Sequence, residues 1–123
     1  MKKARILVID DDDGYRILLR TILEMEGYEV IDAVDGCDGI KKCRMELPDL
    51  VISDIFMPQK NGLETIIELR QECPDVNIIA ISGGDVNGSF DNLEAARLYG
   101  ARRTFEKPVK RKEVLKAVEE LLS

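Results

Sequence analysis

Five short runs rich in Val and Ile alternate with five longer segments of helical periodicity, and this alternation constrains the fold more than any other feature of the chain. The runs cover residues 5–9, 29–33, 50–53, 76–82 and 103–105. Uninterrupted stretches such as Ile6-Leu7-Val8-Ile9 and Ile78-Ile79-Ala80-Ile81 predict strands covered on both faces. Between the runs, apolar residues recur at spacings of three and four. Leu18, Ile22 and Met25 mark the first such segment, Leu63, Ile66 and Ile67 a later one, and Val114, Val118, Leu121 and Leu122 the last. Gly27 and Gly100 stand where left-handed helix caps belong, and Pro48 and Pro74 stop the helices before the third and fourth strands. Strict alternation implies parallel strands joined by right-handed crossovers, with helices on both faces. No linker, repeat or low-complexity tract divides the 123 residues, so one α/β domain spanning 1–123 is expected.

In an open parallel sheet, ligands bind beyond the carboxyl ends of the strands, near the point where strand order reverses. The first strand runs into Asp10-Asp11-Asp12-Asp13 and the third into Ser53-Asp54. The fourth ends in Ser82-Gly83-Gly84 and the fifth in Glu106-Lys107-Pro108. Carboxylates, a hydroxyl and a lysine therefore converge on one edge. Crowded carboxylates repel and call for a cation, and oxygen-only ligands select a hard one such as Mg²⁺. A carboxylate beside such an ion can attack a phosphoryl group and become an aspartyl phosphate. The phosphoryl charge then needs an ammonium and hydroxyl donors as well, tasks that Lys107 and Ser82 fit. Asp12 or Asp13 is expected to cap the first helix. A calcium loop built on the same acids fails, because counting back from Gly14 puts Ile9 at the first ligand position and Arg20 at the last.

Charge and composition exclude other classes. A formal net charge of −6, with Lys and Arg spread along the chain apart from a short cluster at 107–112, argues against direct nucleic-acid binding. The apolar run at 6–9 is far too short for a signal-peptide core or a membrane span, so a cytoplasmic protein without membrane contact is expected. Cys37, Cys43 and Cys73 form no CxxC pair, and with no histidine there is no zinc set. They are expected to be reduced, half-buried side chains.

Four strand ends together resemble the response-regulator receiver domain of two-component signalling, the family of CheY-like proteins. Leu7-Val8-Ile9-Asp10-Asp11 is similar to the acidic end of the first receiver strand. Ser53-Asp54-Ile55-Phe56-Met57-Pro58 followed by Asn61-Gly62 is similar to the phosphoacceptor segment. Ser82-Gly83 matches the hydroxyl-small pair and Lys107-Pro108 the lysine-proline pair, and the likeness covers almost the whole chain. The resemblance implies a flavodoxin-like (βα)₅ doubly wound sheet of order 2-1-3-4-5. It implies a phosphoryl group accepted on Asp54 in a reaction dependent on Mg²⁺ (or Mn²⁺), in a signalling domain that is not a conventional enzyme. Asp11 would hold the metal directly, Asp10 through water, with Asp54 and the backbone carbonyl of Phe56 as further ligands. Ser82 and Lys107 would stabilise the phosphoryl oxygens, and the Lys107–Pro108 peptide would be cis. The implied partners are a sensor histidine kinase or phosphotransfer protein, and a downstream protein target met through the fourth helix, fifth strand and fifth helix. A phosphorylation-dependent dimer is a further implied outcome.

Two positions and one segment depart from the family pattern. Thr104 stands where many receivers carry the aromatic residue that turns inward with the hydroxyl residue, so a switch through Ser82 and Thr104 would lack its usual readout. Phe105 points to the other face and is expected in the core. Phe56 is large beside the attack path and is expected to slow hydrolysis of the aspartyl phosphate. The segment 83–91, with Gly83, Gly84 and Gly88, is expected to be a mobile loop of unusual length, and nearby Tyr99 to serve packing.

The chain closes on its fifth helix at Ser123, so output is expected through another protein, through phosphate relay, or through a domain outside this sequence. Competing readings are a partner-binding pseudo-receiver and a small aspartyl-nucleophile phosphatase. The latter needs a second acid two residues after the nucleophile, where Phe56 stands. An electron carrier of the flavodoxin type would place flavin phosphate against four aspartates.

Overall fold

In a computed structural model, residues 4–55, 62–83 and 89–123 are described, without the side chains of residues 62 and 89–92. The order of elements is β1 (Arg5–Ile9), α1 (Asp13–Met25), β2 (Glu29–Ala33), α2 (Gly36–Glu46), β3 (Leu50–Asp54), α3 (Gly62–Glu72), β4 (Asn77–Ser82), α4 (Ser89–Tyr99), β5 (Arg103–Glu106) and α5 (Arg111–Leu122). The strands form one parallel sheet in the order β2-β1-β3-β4-β5. Each expected apolar run became a strand, with ends displaced by at most one residue. The chain leaves β1 for β2 on one side and returns to β3 on the other, so strand order reverses between β1 and β3.

Side chains of successive strand residues point to opposite faces, and both faces are filled. Leu7, Ile9, Val51, Ile78 and Ala80 pack against Ile40 and Cys43 of α2, Ile66 and Leu69 of α3, and Leu93 and Ala96 of α4. Ile6, Val8, Leu50, Ile52, Ile79 and Ile81 pack against Leu19 and Leu23 of α1 and Val114, Ala117 and Val118 of α5. This two-sided burial is why the strands read as continuous apolar runs.

Helix ends follow from local chemistry. Asp12 caps α1, its carboxylate accepting from the backbone N–H groups of Gly14 and Tyr15. Gly27 and Gly100 adopt φ of +91° and +128° after α1 and α4. Leu47 closes α2 in the left-handed region at φ +49°, an uncommon place for leucine, and Pro48 follows it.

The apolar stripe of α1 differs from its expected position. Leu18 and Met25 are exposed, and the buried face is Leu19, Ile22 and Leu23. Two stripes overlap on this helix because residues 17–19 are all apolar, and the sheet selects the one that also carries Tyr15, packed against the same core. Tyr99 is 48% exposed. The three cysteines are free thiols as expected, and Cys73 is half-buried, whereas Cys37 is exposed and Cys43 is buried.

Candidate functional site

The carboxyl ends of β1, β3, β4 and β5 meet at the edge where strand order reverses. Asp10, the residue after β1, is buried, and Asp54 closes β3 in an equally buried position. Asp11 beside them is exposed. Carboxylate oxygens of Asp10, Asp11 and Asp54 all lie within 4.8 Å of one another. Burial holds the Asp10 backbone in place: its N–H donates to the Ala33 carbonyl at 3.1 Å, and its carbonyl accepts from Arg16 at 2.8 Å. Its carboxylate accepts from the Asp12 N–H at 2.9 Å, which turns the chain from strand to helix.

Lys107 reaches across from the end of β5. Its Nζ stands 3.0 Å from Asp10 Oδ2 and 3.3 Å from Asp54 Oδ2. Burial alone would lower the Lys107 ammonium, yet the hydrogen bond to Asp10 and the charges of Asp54 and Asp10 outweigh it and hold the group above the ordinary lysine value. The backbone carries the lysine there, because its N–H donates to the Ser82 carbonyl at 2.8 Å. The Lys107–Pro108 peptide is cis. Ser82 is fully buried, and its hydroxyl oxygen has no hydrogen-bond partner among the described residues. A buried hydroxyl normally has a hydrogen-bond partner, so among the described residues Ser82 is a donor still free to bond.

Two contributors escaped the sequence reading. Tyr15 lies under Lys107, with Nζ 4.3 Å from the ring centroid, and its hydroxyl accepts from the Val109 N–H at 3.0 Å. One side chain thus supports the ammonium and the segment after Pro108. Arg16 joins the Asp10 carbonyl to the carboxylates of Asp13 at 2.6 Å and Asp32 at 3.5 Å. The Asp13–Arg16 spacing of three was a visible signal for Arg16. Tyr15 could be found only by placing it on the buried stripe of α1.

Thr104 is half-buried in β5 opposite Ala80, and Phe105 packs against the α1/α5 core as expected. Phe56, Met57, Pro58 and Asn61, together with Gly84 and Gly88 of the expected mobile loop, lie outside the described residues.

The donor set suits a hard divalent cation. Three carboxylates cluster and two of them, Asp10 and Asp54, pair with one ammonium; such oxygen ligands match Mg²⁺ or Mn²⁺ and not a soft metal. The acid pocket is the kind at which receiver domains bind Mg²⁺.

The family model described as the response regulator receiver domain matches residues 6–119. A probable transcriptional regulator ycf27 of Cyanophora paradoxa is 37% identical over 123 residues, covering 99% of this chain but 49% of that protein. The chain therefore spans about half the length of that relative. Chemotaxis protein CheY of Treponema pallidum is 36% identical over 121 residues, with 96% of this chain and 82% of that protein covered. A CheY-like receiver domain from Methanospirillum hungatei superposes with a TM-score of 0.89 at 30% identity, covering 97% of this chain and 93% of the other. No helix among the described residues is long and apolar enough to cross a membrane. Sheet order, the acids at the strand reversal and a family match over nearly the full length agree, and the chain belongs to the response regulator receiver domain family, a signalling domain of two-component systems.

Proposed function

We propose that Asp54 is the phosphoacceptor and that Asp10, Asp11, Ser82 and Lys107 assist the transfer. The observation that carries this reading is the buried Ser82 hydroxyl, unpartnered among the described residues, on the same sheet edge as Asp54 and Lys107. A phosphoryl group on Asp54 would give the Ser82 hydroxyl an acceptor.

In the transfer, a carboxylate oxygen of Asp54 attacks phosphorus. The new P–O bond forms as the bond to the donor breaks, P–N for a phosphohistidine or P–O for an acyl phosphate, and the donor group leaves with the electron pair. Lys107 faces one phosphoryl oxygen and Ser82 donates to another, so the charge is met by groups already in place. Asp10, Asp11 and Asp54 would hold Mg²⁺ or Mn²⁺, which when bound would supply the remaining neutralisation of phosphoryl charge. Tyr15 keeps Lys107 over the acids while this charge develops.

The donor is a sensor histidine kinase or phosphotransfer protein in the cytoplasm. The output is altered binding of a protein target at the face of α4, β5 and α5, or dimerisation there. Leu98, 86% exposed on α4, supports an apolar contact surface on that helix. With Thr104 in place of an aromatic, Ser82 shifts toward the phosphoryl group without a large side chain following it, and the change is transmitted through the backbone linking Ser82 to Lys107.

Intact-mass analysis after incubation with acetyl phosphate tests the proposal. A Mg²⁺-dependent gain of one phosphoryl group, absent in Asp54→Ala, is expected. No gain in wild type with either Mg²⁺ or Mn²⁺ would make the chain a partner-binding pseudo-receiver.

A further inference from the structure

Two of the three cysteines meet at the end of the molecule opposite the acids. Helices of a parallel α/β sheet run antiparallel to the strands, so the carboxyl ends of α2 and α3 lie at the amino-terminal edge of the sheet. Cys43, in the last turn of α2, and Cys73, immediately after α3, bring their sulfurs to 2.8 Å across 30 residues of sequence. Their neighbours clamp the same crossing, with Arg44 bonded to Glu72 at 2.8 Å.

We propose that Cys43 and Cys73 are a reversible dithiol–disulfide pair, a redox modification site separate from the phosphorylation chemistry. A disulfide needs the sulfurs about 2.0 Å apart, a closure of less than 1 Å that side-chain rotation can provide. The two sulfurs differ in access. Cys43 is fully buried, and burial, followed by the hydrogen bond with Cys73, pushes its thiol well above the ordinary cysteine value. Cys73 is partly exposed and lines an open pocket of about 500 Å³ with Leu47, Asp49, Asn77 and Leu122. The guanidinium of Arg44 is within electrostatic reach of its sulfur. Cys73 is therefore the sulfur that a small oxidant meets first.

With a hydroperoxide as oxidant, the Cys73 sulfur attacks the peroxide O–O bond, giving a sulfenic acid and releasing water (or the alcohol of an organic peroxide). Cys43 then attacks the Cys73 sulfur, the S–S bond forms, the hydroxyl leaves, and the Cys43 proton completes a second water. Two thiols are oxidised and one peroxide is reduced. A dithiol reductant reverses the bridge by exchange. The ring closed this way contains β3 and Asp54, so oxidation would tie the phosphoacceptor strand between two covalently joined helices.

The test is treatment of the full chain with a slight excess of hydrogen peroxide, followed by intact mass, peptide mapping and thermal melting. The expected result is loss of two hydrogen atoms, a Cys43–Cys73 linked peptide, and a melting temperature higher by roughly 10 °C, the scale for closing a ring of this length. Dithiothreitol should reverse all three. Cys37→Ser should behave as wild type, whereas Cys73→Ser and Cys43→Ser should give no bridge. If the buried Cys43→Ser fails to fold, Cys73→Ser alone decides. A bridge through Cys37, a sulfinic acid on Cys73 without a bridge, or three thiols still free after peroxide would overturn the proposal.

Discussion

Replacing Gly39 by alanine should destabilise the protein, and Ile9 should decide by how much. Gly39 is buried on α2 against Ile9, the last residue of β1 and the one before Asp10. A Cβ at position 39 would overlap the Ile9 δ-methyl and stand 2.8 Å and 3.4 Å from its two γ-carbons. Ile9 is itself fully buried, so it can yield only by pressing on its neighbours. Overpacking of this kind costs about 1–3 kcal/mol, while alanine for glycine inside a helix contributes about 1 kcal/mol in the other direction. The balance is a loss of about 1 kcal/mol, a fall of roughly 3–6 °C in melting temperature for a chain of this size.

Ile9→Val removes the δ-methyl and by itself costs about 0.5–1.5 kcal/mol through the space it opens. In that background the alanine Cβ occupies the opened space, and the small shift still needed by the γ-carbons is one that valine can make. Gly39→Ala should then stabilise by about 0.5–1 kcal/mol, giving a coupling of roughly 1–2 kcal/mol between the two positions. Urea melts of the four proteins in the double-mutant cycle measure it. If Gly39→Ala has the same sign and size with Ile9 and with Val at position 9, the packing argument is refuted.

Leu47→Gly should raise stability by about 0.5–1 kcal/mol in the same melts, because leucine holds a left-handed φ of +49° while 74% exposed and loses little burial on removal. Mg²⁺ at about ten times its dissociation constant should raise stability by about 1.4 kcal/mol, an effect abolished by EDTA and reduced in Asp11→Asn when followed by thermal melting. In EDTA the same variant should melt no lower than wild type, since it removes one of three crowded carboxylates. Burial, and then Glu119 and Glu26, push the Tyr28 phenol above its ordinary value of 10.0. The folded state therefore keeps that proton longer than the unfolded chain, so this stability is present below about pH 10 and is lost as pH rises through the folded value. Tyr28→Phe should accordingly lose less stability than wild type between pH 9 and pH 11.

The parts of the structure visible in the sequence are those written in single residue types. The strands were legible because Val and Ile fill both faces of a parallel sheet, and the site because four of the five strand ends carry their own polar residues. Asp54, Asp10 and Lys107 are separated by many residues, yet the strand-end rule places them within hydrogen-bonding reach. What stayed hidden depends on angles between elements. The stripe of α1 was ambiguous while Leu18 and Leu19 were equally apolar, and only docking on the sheet exposes the first and buries the second. Tyr15 under Lys107 follows from that same rotation. The contact of Cys43 with Cys73 needs the crossing of α2 and α3, which no spacing in the sequence encodes.

The most direct test of the central claim is chemical localisation of the phosphoryl group. After acetyl phosphate and Mg²⁺, borohydride reduces an aspartyl phosphate to homoserine, and peptide sequencing by mass spectrometry reads its position. Homoserine at position 54 alone is predicted. Homoserine at position 10 or 11, or phosphate on the Ser82 hydroxyl with position 54 unmodified, would contradict it.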